Sequence, residues 1–324
     1  MATHLTITCA DGDAGYLTLI DDAQRVELAR HGIELVWHNG TPSSDEEWLT
    51  RIGDAEGLLL LWKIPDTVMR GCPNLKAIAW VGTGVATFVN IPLASELGIV
   101  VSNTPGYGSS AVAEHALGLM LALARNTVAL DAQLRTGGWP RDDVVGVELA
   151  GKTVGVVGLG GIGTRVAQLC GALGMRVLAW TRSPSAERLA EAGATYAELD
   201  DLLAAADVVS LHLPHTSGTD RLLSAARLRR MKPSAFLVNT ARAELIDEDA
   251  LVSVLRENRI AGAALDVFAD EPLPADDPFR TLPNVILTPH VGFRTPEASQ
   301  RSVAIALDNL IGALSGEPRN VVRA

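Results

Sequence analysis

The chain has 324 residues, of which 48% are hydrophobic and 20% are charged. This composition supplies a large buried core and excludes intrinsic disorder for the bulk of the protein. A single hydrophobic core stops growing at about 250 to 300 residues, so the length predicts two domains. Lysine and arginine number 27 against 38 aspartates and glutamates, a formal charge of −11. A surface of this sign repels phosphates, and we expect no nucleic-acid partner.

The three cysteines, Cys9, Cys72 and Cys170, stand far apart and form no CxxC pair. This spacing favours reduced thiols in a cytoplasmic protein over a disulfide framework, and it suggests no metal site. The N-terminal segment has no basic stretch followed by an apolar run, and the most apolar segment, residues 111–124, contains Glu114 and His115. We therefore expect no secretion signal and no membrane span.

Short apolar runs alternate with amphipathic stretches in the first hundred residues, the pattern of strands and helices in a parallel α/β sheet. Ser44 with Glu47 three positions later predicts a capping box at the start of one helix. The predicted strands are 5–8, 34–37, 57–62, 77–81 and 99–102, and the predicted helices include 21–30 and 45–52.

A long helical pattern follows over residues 111–135 and ends at Gly137, Gly138 and Pro140, so it reads as a connector to a second α/β run. Several strands of that run are near-continuously apolar, as expected where helices cover both faces of a sheet. A last helix is predicted over 296–314, with Thr295 as its N-cap and Pro296 at its first position. The strands predicted between these helices are 153–157, 176–180, 208–212, 235–239, 263–267 and 285–287.

A glycine-rich fingerprint joins the first strand of the second run to a helix, within a βαβ unit. In this context the G-x-G-x-x-G pattern predicts a dinucleotide site. Gly158 permits the tight turn, Gly160 lets the backbone approach a pyrophosphate, and Gly163 allows close helix packing. Gly161 and Ile162 lie in the first turn of the helix, where free N–H groups attract an anion.

The residues after the next strand decide between NAD and NADP, because a carboxylate there binds the ribose 2′-hydroxyl and repels a 2′-phosphate. The chain has Thr181, Arg182 and Ser183 at this place and no carboxylate. A guanidinium with two hydroxyls suits a 2′-phosphate, so NADP(H) is favoured over NAD(H). In the alternative interpretation Arg182 is a solvated surface residue and either cofactor is accepted.

Polar side chains follow three later strands: Arg242, Glu271 and His290. Ligands of open α/β sheets bind at the carboxyl ends of the strands, so we expect the three loops to converge. An imidazole exchanges protons near neutral pH, a carboxylate orients it, and a guanidinium binds a planar carboxylate. The set predicts acid/base chemistry on an anionic substrate.

On these motifs, from about Val81 to His290, the sequence resembles the D-isomer-specific 2-hydroxyacid dehydrogenase family, with likeness to glyoxylate and hydroxypyruvate reductases. The resemblance implies that Arg242 and His290 bind the substrate, that His290 is the acid/base and that Glu271 is its partner. It further implies that the stretch beginning Val81-Gly82 offers backbone N–H groups to the substrate carboxylate. The implied reaction is hydride transfer between a nicotinamide and a small 2-oxo or 2-hydroxy acid.

The resemblance also implies the architecture: two Rossmann-like, doubly wound parallel-sheet domains, with the cofactor domain inserted into a discontinuous substrate domain. The implied boundaries give residues 1–102 with 291–324 to the substrate domain and 103–290 to the NAD(P)-binding domain. Helix 111–135 would pack against a second subunit in a homodimer; its apolar content alone is equally consistent with burial within one chain. The residues implied to bind the cofactor, besides the fingerprint and positions 181–183, are Pro214, Thr240, Ala241, Asp266 and Gly292.

Some positions depart from the family pattern. Ala243 and Glu244 follow the arginine where glycines are usual. Ala86 stands after the glycine loop where an asparagine or aspartate is common, and Phe293 stands where smaller residues are frequent. The substrate therefore stays open among glyoxylate, hydroxypyruvate and bulkier 2-oxo acids. A second class of function is also open: a nucleotide-sensing, corepressor-like binding protein of the same fold.

Overall fold

The structure is a computed structural model that describes residues 5–323. Residues 1–4 and 324, which belong to the expected substrate domain, lie outside the described residues. Residues 1–4 also begin the N-terminal segment in which we expect no secretion signal. The strands are β1 (Leu5–Gly12), β2 (Ile33–Asn39), β3 (Gly57–Leu60), β4 (Ala77–Trp80), β5 (Val100–Ser102), β6 (Thr153–Val157), β7 (Arg176–Trp180), β8 (Thr195–Tyr196), β9 (Val208–Leu211), β10 (Phe236–Asn239), β11 (Gly262–Leu265) and β12 (Val285–Leu287).

Helices lie between most of these strands. They are α1 (Ala14–Leu17), α2 (Asp22–Arg30), α3 (Asp45–Ile52), α4 (Asp66–Gly71), α5 (Ile91–Glu96), α6 (Ser109–Arg125), α7 (Thr127–Arg135), α8 (Gly161–Ala172), α9 (Ala186–Ala192), α10 (Leu199–Ala205), α11 (Ala225–Leu228), α12 (Glu248–Arg256) and α13 (Pro296–Leu314). None of the helices within residues 5–323 has the length and apolarity that crossing a membrane requires.

The chain divides into two compact units, each with its own sheet. The first runs up to Gly108 and resumes at Thr295, and the second is Ser109–Arg294. Arg301 of α13 donates to the carbonyl of Tyr107 (2.8 Å), which holds the segment after β5 in the first unit. The amides of Val291 and Gly292 donate to Asp266, which keeps them in the second unit.

The first unit is a five-stranded parallel sheet in the order β2-β1-β3-β4-β5. One face packs under α2 and α13, with a core that includes Ile7, Leu28 and Leu307. The other face packs under α3, α4 and α5, with a core that includes Trp48, Val68 and Leu93. Helices on both faces explain why the inner strands β3 and β4 are apolar throughout.

The second unit is a seven-stranded parallel sheet in the order β12-β11-β10-β9-β6-β7-β8. Strand order reverses between β6 and β9, the switch point at which ligands of doubly wound sheets bind. Helices α6 and α8 cover one face and α10 and α12 the other. The predicted fold class, two doubly wound parallel-sheet α/β domains, is confirmed.

Two local predictions are wrong. The helix predicted over 111–135 is interrupted, because Asn126 adopts a left-handed conformation (φ +54°) between α6 and α7. Asparagine tolerates this conformation better than most residues, so nothing else in the pattern reveals the break. The capping box at α3 is only half present: Ser44 accepts from the amide of Glu47, but the Glu47 carboxylate accepts from Ser43 instead of Ser44.

Candidate active site

Five residues form a row just beyond the carboxyl ends of the central strands of the second unit. The strands are in register, with Val157, Leu211, Asn239, Leu265 and Leu287 paired across the sheet. The next residue of each strand therefore lies at the same edge. These residues are Gly158, His212, Thr240, Asp266 and Thr288.

The glycine turn after β6 leaves no space for side chains at two of its positions. Gly158 has φ +100°, and a Cβ there would lie 2.5 Å from the carbonyl oxygen of His212. A Cβ on Gly163 would overlap the carbonyl of Gly158. Gly160, by contrast, faces open space, with no heavy atom within 4 Å of a Cβ placed on it. The turn is thus packed tightly on its inner side and open at Gly160.

Gly160 is also the N-cap of α8, and no side chain caps that helix. The first N–H groups of the helix, including those of Gly161 and Ile162, have no intrahelical acceptor and carry the positive end of the helix dipole. An uncapped helix start beside an open glycine fits a bound pyrophosphate.

The segment after β7 carries the residues predicted to choose the cofactor. Thr181 is half-buried, whereas Arg182 and Ser183 are exposed. The Arg182 guanidinium makes no hydrogen bond or ion pair within residues 5–323. The unpaired Arg182 guanidinium at this strand end can therefore bind a phosphate.

Two buried polar atoms in the row lack protein partners. His212 hydrogen-bonds Ser210 through Nε2 (2.8 Å), but its Nδ1 has no partner among the described residues, and neither has Thr240 Oγ1. Burial lowers the pKa of His212 to about 3, so the ring is neutral at pH 7. Buried polar groups are rarely left unpaired, so these atoms fit a site that a polar ligand completes. Pro214, two residues on, accepts from Thr219 through its carbonyl (2.9 Å).

Arg242 stands in a loop that one buried side chain holds. Asn239, 1% exposed, accepts from the amide of Ala241 (3.0 Å) and donates to the carbonyl of Arg242 (2.8 Å). The Arg242 side chain is exposed and donates to the Ala241 carbonyl (2.6 Å). The loop therefore presents the guanidinium to solvent on a fixed backbone.

His290 and Glu271 are brought together, as the sequence predicts for neighbouring strand ends. His290 Nδ1 lies 2.8 Å from Glu271 Oε2, while Glu271 Oε1 accepts from the amide of Phe268 (3.1 Å). The His290 side chain is 39% exposed, and its ring is perpendicular to that of Phe293, with 5.9 Å between the ring centroids. With Nδ1 bound to the carboxylate, Nε2 is the nitrogen left to exchange a proton with a ligand.

Asp266 organises the loop that carries His290. Its carboxylate accepts from Thr288 Oγ1 (2.6 Å) and from the amides of Val291 (3.0 Å) and Gly292 (2.9 Å). Burial opposes ionisation, but hydrogen bonds from His115 and from these groups outweigh it and lower the Asp266 pKa. The carboxylate thus stays charged and ties down both sides of the loop.

Sequence reasoning gave no role to two residues that the structure places in this network. His115 Nε2, on α6, lies 3.1 Å from Thr288 Oγ1 and 3.4 Å from Asp266 Oδ1. Asn239 holds the arginine loop. No sequence motif marks His115 or Asn239 for these roles, because their partners come from distant strands or are backbone groups.

The stretch Val81–Gly84, predicted to bind a substrate carboxylate, follows β4 in the first unit. Val81 and Gly82 are buried, and a Cβ on Gly82 would overlap the indole of Trp80. The loop is therefore a strand end whose backbone lies against an aromatic ring.

Comparison with known proteins agrees with this architecture. Residues 117–292 match the family model described as D-isomer specific 2-hydroxyacid dehydrogenase, NAD binding domain. The chain is 40% identical over 319 residues to a glyoxylate reductase of Thermofilum pendens, covering 93% of this chain and 91% of that protein.

Solved structures extend the likeness over both units. A D-lactate dehydrogenase with NAD+ from Lactobacillus jensenii superposes with a TM-score of 0.83 at 28% identity, covering 98% of this chain and 99% of that one. An acyclic imino acid reductase in complex with NADPH and D-Arg gives a TM-score of 0.82 at 28% identity, covering 98% and 100%. The chain belongs to the D-isomer-specific 2-hydroxyacid dehydrogenase family of NAD(P)-dependent oxidoreductases, which act on the CH–OH group of 2-hydroxy acids.

Proposed function

We propose that the protein reduces a small 2-oxo acid of the glyoxylate or hydroxypyruvate class to the D-2-hydroxy acid, with NADPH as the preferred reductant. The observation that carries this proposal is the 2.8 Å contact between His290 and Glu271 at the strand ends of a dinucleotide-type sheet. The proposal assigns the cofactor and the catalytic residues Arg242, Glu271 and His290 to the second unit, and the N–H groups for the substrate carboxylate to the first.

The cofactor's part is to supply the hydride when bound. The residues proposed to hold it are those of the glycine turn, Thr181 to Ser183, and residues of the row or its flanks: Pro214, Thr240, Ala241, Asp266 and Gly292. The tight inner packing at Gly158 and Gly163, the open face at Gly160 and the unpaired buried atoms of His212 and Thr240 support this placement.

The chain's own residues move the proton. His290 Nε2 donates a proton to the substrate carbonyl oxygen as the 2-carbon is reduced, and Glu271 keeps Nδ1 occupied and so orients the ring for that transfer. Arg242 binds the substrate and offsets the charge that develops on the carbonyl oxygen. General acid catalysis of this kind is worth about 10² to 10⁴-fold in rate. The free N–H groups of the Val81–Gly84 stretch bind the substrate carboxylate. The Val81 N–H is not one of them, because it donates to the Leu60 carbonyl (3.1 Å).

A spectrophotometric panel of 2-oxo acids with NADPH tests the reaction. We expect turnover by the wild type, a loss of about 10² to 10⁴-fold in kcat for His290→Ala, and a large rise in KM for Arg242→Ala. His215→Ala removes an exposed histidine paired with Asp220 and serves as the matched control. A wild type inert towards the whole panel, or a His290→Ala variant as fast as wild type, overturns the proposal.

The preference for NADPH rests on the uncommitted Arg182 between two hydroxyl-bearing residues. We expect a higher kcat/KM with NADPH than with NADH, and a reversal of that order in Arg182→Asp, because a carboxylate repels the 2′-phosphate and binds the 2′-hydroxyl. A wild type that prefers NADH contradicts the assignment.

The protein is proposed to be a homodimer. Four large apolar side chains are exposed on α7 and in the segment after it, and exposed apolar surface is typical of interfaces. Size-exclusion chromatography with light scattering should report a dimer, and Val128→Glu with Leu134→Glu should yield monomers; a monomeric wild type contradicts it. The exposed residues are Val128, Leu134, Trp139 and Val145.

A cytoplasmic location is proposed because Cys9, Cys72 and Cys170 are separate, buried thiols, as in reducing compartments. The net charge of −11 argues against nucleic acid as a partner. The corepressor-like alternative is not favoured, since a binding protein has no need of the His290–Glu271 pair.

A further inference from the structure

Three asparagines of the first unit, Asn103 and the distant Asn309 and Asn320, form a closed hydrogen-bonded ring. Asn309, on α13 and 1% exposed, donates through Nδ2 to the carbonyl of Asn103 (2.8 Å). Its Oδ1 accepts from Nδ2 of Asn320 (2.8 Å), and the Asn320 carbonyl accepts from the amide of Asn103 (3.3 Å). Each asparagine is thus bonded to both of the others.

The ring continues into the glycine loop after β4. The side chain of Asn103 donates to the carbonyl of Thr83 (2.7 Å), and the amide of the next residue, Thr104, donates to the carbonyl of Gly82 (2.9 Å). Two consecutive carbonyls of the loop are therefore drawn to one side by the segment that follows β5.

The orientation of these two carbonyls also sets the direction of the neighbouring N–H groups. In a trans peptide the C=O of one residue points opposite to the N–H of the next. Fixing the carbonyls of Gly82 and Thr83 therefore aims the N–H groups of Thr83 and Gly84 away from the asparagines. Across residues 5–323 no protein acceptor bonds to either N–H. Adjacent free N–H groups of this kind bind anions.

We infer that Asn103, Asn309 and Asn320 are positioning residues for substrate: the ring sets the peptide orientations of the 82–84 loop and so the geometry of its carboxylate-binding N–H groups. The inference rests on the proposed role of that loop in binding the 2-oxo acid. The segment containing Asn320 is itself pinned to the edge strand β5, because Val322 donates to the Val101 carbonyl (2.8 Å) and Val321 bridges Ser102.

Steady-state kinetics on the intact protein with glyoxylate and NADPH test the ring. Asn103→Ala removes the donor to Thr83, and we expect KM for glyoxylate to rise about tenfold with kcat within about twofold, because a carboxylate contact binds ground and transition states alike. Asn309→Ala should give the same split at about threefold. KM for NADPH should stay at the wild-type value in both variants. The inhibition constant of oxalate, an unreactive carboxylate, should rise in parallel with KM for glyoxylate.

Asn284→Ala is the matched control. It removes a comparable bond, from Nδ2 to the Leu255 carbonyl (3.1 Å), in the second unit. It should lower the Tm without changing KM for glyoxylate. If Asn103→Ala and Asn309→Ala behave in the same way as this control, the ring is only structural and the inference is overturned.

A third variant keeps the test decisive if a buried substitution prevents folding. Asn320 is exposed and has φ +49°, so Asn320→Gly removes its side chain while preserving the backbone conformation. It should raise KM for glyoxylate and the oxalate inhibition constant together, and wild-type values in this variant count against the ring. Failure of the proposed function looks different: the wild type itself then turns over none of the 2-oxo acids.

Discussion

At the scale of single residues, Asp266 shows how one carboxylate fixes a strained loop. His290 has φ +52°, a conformation unfavourable for a residue with a side chain, and Asp266 binds the two amides that follow it. Asp266→Asn replaces one carboxylate oxygen by an NH₂ group, so at least one of these N–H groups loses its acceptor. We expect the free energy of unfolding to fall by about 1 to 3 kcal/mol, measured by urea denaturation, and kcat to fall as well.

The control for Asp266 is Asp220→Asn, which weakens an exposed pair with His215 and should change neither quantity. The prediction fails if Asp266→Asn retains wild-type stability and rate. A fall in stability alone assigns Asp266 to the fold and not to the positioning of His290.

Glu271 is expected to support proton transfer by His290. Glu271→Gln preserves size and the bond to the Phe268 amide but removes the negative charge beside His290 Nδ1. Because the carboxylate orients the ring that donates the proton, we expect kcat for reduction to fall about 10 to 100-fold with little change in KM. Stopped-flow or steady-state assays measure it. Glu257→Gln, which alters an exposed bond to Ser253, is the control, and equal rates in both variants refute the proposed partnership.

At the scale of elements, the β6–α8 turn separates glycines needed for folding from one needed for the ligand. Gly163→Ala places a Cβ on the Gly158 carbonyl, so we expect a strongly lowered Tm. Gly160→Ala meets no atom within 4 Å. It should leave the Tm unchanged while raising Kd for NADPH at least tenfold, because the methyl occupies the face proposed for the pyrophosphate. Tight NADPH binding by Gly160→Ala contradicts that assignment.

Elements with local signals are the ones that the sequence predicts well. Strands β6, β7 and β12 and helix α13 have the predicted bounds, since apolar runs, a glycine turn, and Thr295 with Pro296 mark their ends. Strand β8, with two residues, is too short to produce a pattern, and the α6–α7 break depends on the conformation of one asparagine. The His290–Glu271 pair follows from strand order, whereas the His115 contact and the asparagine ring depend on tertiary packing.

At the scale of the whole molecule, the net charge of −11 conceals where positive potential lies. The proposed cofactor and substrate are both anions. The second unit has three local sources of positive potential: the uncapped start of α8, the exposed Arg182 and the exposed Arg242. Ligand recognition thus depends on where the positive groups lie, whereas the net charge of the chain bears mainly on solubility.

Global stability should depend on pH through His212. Its pKa of about 3 in the folded protein lies below the usual value of 6.5, the cause being burial. Below pH 6.5 the unfolded chain therefore binds a proton that the folded protein does not. The stability contributed by the neutral ring is present above that pH and is lost as pH falls towards 3. The slope of this loss is about 1.4 kcal/mol per pH unit.

Urea denaturation of wild type and His212→Gln between pH 6 and pH 4.5 measures this contribution. Glutamine stays neutral, so the variant should lose stability less steeply than wild type, by about 1.4 kcal/mol per pH unit. Ser210→Ala removes the partner of Nε2 but leaves the ring buried. Because burial is the cause of the lowered pKa, Ser210→Ala should keep the wild-type slope at a lower overall stability. If Ser210→Ala instead flattens the slope as His212→Gln does, the hydrogen bond and not burial holds the ring neutral.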